Sequence, residues 1–165
     1  MSNWLHVAAI VRIDSFCGLF EDESKCLTKE MDSIKNVFGR QLLFDDHKAW
    51  EEYREHPERF LPMGSEGSLQ MSLWINPKDY MAARYTVSIF GDLRDRFDCQ
   101  SIIDWFKDRC GKMKSWAIRN ACITVTNEVS TYISSTTEQY NGNELDADNS
   151  NIIWIDMNDE KETSV

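Results

Sequence analysis

Between Trp4 and Ile13 the chain runs with only His6 and Arg12 as strongly polar side chains. Leu5, Val7, Ala9, Val11 and Ile13 alternate with Trp4, His6, Ala8, Ile10 and Arg12, so both faces of an extended segment are largely apolar. A strand of that kind belongs inside a sheet, paired along both edges. The rest of the fold has to be built around it.

Periodicity supplies the remaining elements. From Ser24 to Phe38, Leu27, Met31, Ile34 and Phe38 fall on one helical stripe, and Gly39 follows as a stop. Residues 45–59 read as a second, exposed helix ending near Pro57, with Trp50 and Tyr53 as its apolar stripe. The stretch 61–68 is a loop by composition. Leu69, Met71, Leu73 and Ile75 then alternate with Gln70, Ser72 and Trp74. Asn76-Pro77-Lys78-Asp79 is a turn signal, and Tyr85 to Phe90 returns as the next strand of a hairpin. At Gly91–Phe97 the alternation breaks. Asp98 is a good cap for a helix over 99–110 that buries Ile102, Ile103, Phe106 and Cys110, with Gly111 ending it. Trp116 to Thr126 is the last core strand.

This order predicts an α+β fold, a ferredoxin-like βαββαβ antiparallel sheet with helices on one face and an extra helix after the first. Residues 1–128 form that core. Residues 129–157 form a C-terminal strand extension, in which Tyr132-Ile133 and Ile152–Ile155 read as an added hairpin around the Asn/Asp/Gly-rich 141–151. Residues 158–165 are expected to be a disordered acidic tail.

The composition, 42% hydrophobic and 12% aromatic, excludes disorder for most of the 165 residues. No run of 18 apolar residues is present and the first residues do not read as a signal peptide, so a cytoplasmic protein with no membrane association is expected. The five cysteines are odd in number and lack C-x-x-C spacing, which favours buried reduced thiols over disulfides or zinc. The net charge is −10, and residues 141–165 hold seven acids against one base. Such a surface disfavours direct nucleic-acid binding and leaves a basic protein partner open.

In the ferredoxin-like plan the end of the third strand lies beside the starts of the first and second. His6, the loop carrying Ser65 and Glu66, and the stretch Asp92, Arg94, Asp95 and Arg96 should therefore meet at one pole, near Thr126–Glu128. The two arginines suit a phosphate or carboxylate, and Gly64 and Gly67 would let backbone approach closely. The structural alternative is that Arg94 merely pairs with Glu66 or Glu128. Asp92, Asp95 and Asp98 match no calcium-loop pattern, and two arginines compete between them. Two catalytic routes are conceivable: His6 with Ser65 and Glu66 as a hydrolytic triad, and Asp14 with Asp79 as a two-metal phosphoryl-transfer pair. Neither carries its usual motif: Gly64-Ser65-Glu66-Gly67 is not a nucleophile elbow, and Asp14 and Asp79 have no neighbouring carboxylate. No cofactor or metal is called for.

The outer face of the sheet would present His6, Arg12, Gln70, Ser72, Trp74, Thr86, Ser88 and Phe90. RNA-recognition domains stack bases on this face, but here the basic surroundings are missing. The expectation is that the 45–59 helix or the C-terminal hairpin covers it.

The stretches LPMGSEGSLQMSLW (61–74), YTVSIFGDLRDR (85–96), IIDWFKDRC (102–110) and RNACITVTNE (119–128) resemble small accessory proteins of tailed bacteriophages, over about residues 4–128. The resemblance implies a protein of the infected host cytoplasm that binds and disables a host protein or sequesters a nucleotide signal. A non-enzymatic binding protein directed at a host protein is thus the first expectation, and a binder of a nucleotide or other anionic ligand the second. A metal-dependent phosphoryl-transfer enzyme is the third, and a homo-oligomer is left open.

Overall fold

The computed structural model describes residues 3–14, 23–76, 84–96, 98–113, 118–136 and 152–160. Six strands form one antiparallel sheet: β1 (Trp4–Ile13), β2 (Gln70–Ile75), β3 (Tyr85–Arg94), β4 (Ile118–Thr126), β5 (Ser130–Thr136) and β6 (Trp154–Glu160), in the order β2-β3-β1-β4-β5-β6. The apolar first strand is central, paired antiparallel with β3 on one side and β4 on the other. Among the described residues three α-helices accompany the sheet: α1 (Glu23–Phe38), α2 (His47–Glu55) and α3 (Cys99–Gly111). The architecture is α+β.

Burial follows the alternation. Leu5, Val7, Ala9, Val11 and Ile13 share one cluster with Ile34 and Phe38 of α1 and with Ile102, Ile103, Phe106 and Cys110 of α3. Phe106 anchors that layer, its ring 6.5 Å from Phe38 and 5.9 Å, edge-on, from Trp154. Inside it, the Tyr85 hydroxyl donates to the buried carboxylate of Glu30.

Several expectations need correcting. The third strand does not stop at Phe90: Gly91 takes φ +151°, a conformation L side chains rarely adopt, and the ladder continues to the Trp4↔Arg94 pair. Asp92 and Arg94 are therefore strand residues. The 45–59 helix is split. Asp46 caps α2, accepting from Ala49 N at 2.9 Å, and a 3-10 turn at Pro57–Arg59 follows, because Pro57 lacks the N–H that would continue the helix. Residues 158–160, expected in a disordered tail, pair with β5 as the end of β6. The turn at Asp79, Cys17, Trp116 and the 141–151 connection lie outside the described residues.

Neither predicted cover lies over the outer face. α2 packs through Ala49 onto Leu42 and Phe60, with Trp50, Tyr53 and Met63 around them, while β5 and β6 widen the sheet instead of folding across it. Among the described residues nothing covers that side. The cross-strand pairs run Gln70–Phe90–Ala8–Thr124–Ile133–Met157 in one row and Ser72–Ser88–Ile10–Cys122–Ser135–Ile155 in the next.

The cysteines divide likewise. Cys99 and Cys110 are buried, and burial pushes both thiols above their ordinary range, whereas Cys122 stands exposed on the open face. Iodoacetamide at pH 8 should accordingly label Cys122 at least about a hundredfold faster than Cys99 or Cys110, since the latter react only through local opening. Peptide mass mapping over time reads this directly.

Candidate functional site

All seven residues singled out in the sequence meet at one pole of the sheet. β1 begins there and β3 ends there, and the 63–68 loop is clamped onto that end. Met63 bridges Ser68, Gly64 N donates to Gly67 O at 3.0 Å, Ser65 N to Arg94 O at 3.0 Å, and Arg94 N to Glu66 O at 3.0 Å. The close approach depends on glycine: a Cβ on Gly67 would stand 2.1 Å from the Asp92 carbonyl oxygen. Asp95, at φ 58°, closes the end in the left-handed region that aspartate tolerates better than most residues, its N–H bonded to Asn3 O at 2.8 Å.

The side chains bond to one another. His6 Nδ1 lies 2.7 Å from Asp92 Oδ1 and Ser65 Oγ donates to Asp95 Oδ2 at 2.6 Å. Arg94 pairs with the Glu66 carboxylate and its Nε lies 3.8 Å from Asp95 Oδ2. Arg96 Nε donates to Met63 O at 3.1 Å. Each acid of the cluster thus has a side-chain partner, and Glu66, not Glu128, is the partner of Arg94. Such exposed pairs fix geometry and add little stability, with a median of about 0–1 kcal/mol each.

The serine–histidine reading is not assembled here. Ser65 is bonded to Asp95 and His6 to Asp92, so no serine–histidine pair forms. Asp14 is held by Arg119, Nε to Oδ1 at 2.7 Å, and Asp79 lies outside the described residues. Among the described residues no three of His, Cys, Asp and Glu gather as metal ligands.

Behind the pole, on the helical side of the sheet, is a cleft of about 180 Å³ that the sequence did not announce. Tyr53, Pro57, Glu58, Phe60, Leu61 and Pro62 line one wall; Arg96 and, from α3, Ser101, Ile102, Trp105 and Arg109 line the other. Arg109 sits in the otherwise apolar stripe of α3, only 8% exposed. It donates Nη1 to Val37 O at 3.1 Å and Nη2 to Glu58 O at 2.7 Å, tying the end of α1 and the 3-10 turn to α3. The one available signal was an arginine three residues after Phe106 on a buried face, a position that demands acceptors.

No family model, curated protein or solved structure matches this chain. No helix among the described residues is long and apolar enough to cross a membrane.

Proposed function

We propose that this chain is a non-enzymatic accessory protein, of the kind tailed phages encode, that docks a host protein in the cytoplasm on the open face of its sheet and inhibits or redirects it. The observation carrying this is the uncovered face across all six strands, on which apolar and hydroxyl side chains predominate around Gln70 and Arg12, with Trp74 68% exposed, Phe90 46%, and Ile10, Ile155 and Met157 also exposed. Single exposed apolar residues are ordinary, but a continuous patch marks an interaction surface. Five spacings of ~4.8 Å and strands averaging about eight residues at ~3.3 Å give a plan area of roughly 650 Å². That approaches the ~800 Å² per partner of a standard stable interface.

The partner that fits is flat and apolar at its centre and basic at its rim, because the chain's charge of −10 would speed its approach. His6 and Asp92, with side chains 59% and 60% exposed, border the face and supply polar contacts at its edge. What supports the ferredoxin-like reading of the core is the order β2-β3-β1-β4 with antiparallel neighbours, and α1 and α3 following β1 and β3 in the chain.

Phe90→Asp is the test. A host protein retained by the immobilised full chain should bind this variant about thirtyfold or more weakly, the loss of a central anchor. The melting temperature should change little, since the side chain is half-exposed. Equal capture by both chains, or capture by neither, would sink the proposal.

A further inference from the structure

The two edges of the sheet are unlike. β6 carries acids at Asp156, Asp159 and Glu160, whereas β2, at the other end, has no charged residue, no glycine and no proline. Its register with β3 runs without a bulge. Natural sheets guard a bare edge with charge, proline or a bulge, because its unpaired N–H and C=O groups template pairing with another chain. β2 has none of these guards.

The backbone bonds show which groups are bare. Asn76 N donates to Arg84 O at 2.9 Å, in step with the Ile75↔Tyr85 and Trp74↔Thr86 pairs, so the even-numbered residues of this strand bond to β3. Leu69 N points the other way and donates to Pro62 O at 3.0 Å. Met71, Leu73 and Ile75 therefore turn their N–H and C=O groups outward, and among the described residues no strand pairs with them. The bare run is bounded at both ends: the Leu69 N–H is taken, and Pro77 has none.

We propose that a second copy of this chain occupies the edge, β2 pairing antiparallel with β2 about a two-fold axis at Leu73. In that register Met71 faces Ile75 of the second copy, Leu73 faces Leu73, and every outward N–H meets a carbonyl. Shifting the register by one step either way sets Ile75 against Leu69 or Met71 against Pro77, and a bond is lost. A run that is uncharged, closed at both ends and centred on one residue suits its own copy. On the helical side Met71 and Leu73, half-buried against the core, gain aliphatic neighbours. On the open side the exposed Trp74 lies opposite Ser72 of the second copy and diagonal to its Trp74, within reach of an aromatic pair. The contact is the same on both copies, so assembly stops at two. The net charge of −10 does not oppose it strongly. The acids of β6 stand five strand spacings away, roughly 24 Å, which is about three screening lengths at physiological salt. The join uses edge bonds and leaves Phe90 open, so it stands or falls separately from docking on the open face.

Sedimentation equilibrium of the full chain is the test. The parent should pass from monomer to dimer across the micromolar range, as suits a join of one short strand. Ser72→Asp sets like charges diagonally across the axis, opposite Trp74, and should weaken association about tenfold or more while the dilute chain melts as the parent does. Met71→Pro removes an outward N–H and no bond to β3, and should weaken it by a similar factor. Phe90→Asp should associate as the parent does. Register is read by diamide oxidation on a Cys122→Ser background: mixed Ser72→Cys and Trp74→Cys chains should cross-link at least about tenfold faster than either alone, because only opposed positions bring the Cα atoms within disulfide reach. A monomer at every concentration, equal association of the parent and Ser72→Asp, or cross-linking as fast within either single variant would each overturn the proposal.

Discussion

A chain ending at Glu128 should melt roughly 6–20 °C below the full protein, or accumulate as aggregate, although all four strands of the predicted core remain. Its missing part is built into the sheet and the core. β5 pairs with β4 from Thr126↔Thr131 to Cys122↔Ser135, and β6 closes on β5. Trp154 stacks edge-on against Phe106 at 5.9 Å, Lys107 Nζ reaches Asp156 Oδ1 at 2.7 Å, and Tyr132 and Ile152 pack against the central cluster. Losing three half-buried large side chains removes roughly 3–5 kcal/mol, from about 1.5–3 kcal/mol for each fully buried one. At ~2–4 °C per kcal/mol for a chain of this size, that gives the expected drop. The bared edge of β4 is also a template for pairing with other chains. Thermal melts and size-exclusion profiles of the two chains decide the matter. If they coincide, β5 and β6 are an appended hairpin and the core is complete without them.

The Lys107–Asp156 pair gives this closure a pH dependence. The hydrogen bond from Lys107 holds the Asp156 carboxyl below its ordinary range, despite modest desolvation. A depressed carboxylate stabilises the fold above its unfolded value near pH 4 and loses that contribution as pH falls through the lower folded value. The attachment of β6 should thus loosen only in strong acid, and weakly, since the carboxylate is half-exposed.

What the sequence disclosed and what it hid have separate physical causes. β1 and α3 were legible because burial imposes periods of two and 3.6 on their side chains, and Asp98 announces the start of α3. The gathering of His6, the 63–68 loop and the 91–96 stretch at one pole followed from strand order, which brings together segments far apart in the chain; the pairing of His6 with Asp92 and of Ser65 with Asp95 did not. The length of β3 was hidden because a glycine inside a strand looks like a break, while at φ +151° Gly91 lets the ladder continue. The open face was hidden for a deeper reason. Alternation in Trp74, Phe90 and Ile10 says that they share a side, but only tertiary placement of α2 and β6 says whether anything lies over it. Arg109 was missed because its acceptors, Val37 O and Glu58 O, are backbone atoms that leave no trace in side-chain patterns.

Gly67→Ala should be strongly destabilising, with a loss of about 3–5 kcal/mol once strain and broken bonds are combined. Gly67 has φ +77°, where an L side chain is strained by about 1–2 kcal/mol. The added Cβ would also stand 2.1 Å from the Asp92 carbonyl oxygen, an atom fixed in the β1–β3 ladder that cannot swing aside. The 63–68 loop must then lift. Lifting it breaks the bonds from Gly64 N to Gly67 O, Ser65 N to Arg94 O and Arg94 N to Glu66 O, and separates Ser65 from Asp95. The variant should melt roughly 6–20 °C lower, by the same scaling with chain size. Gly111→Ala is the matched control. It ends α3, nothing lies within 4 Å of its added Cβ, and it should gain about 0.5–1 kcal/mol from helix propensity. If the two alanines shift the melting temperature equally, the loop is not clamped through Gly67, and the pole is a loose surface instead of a built one.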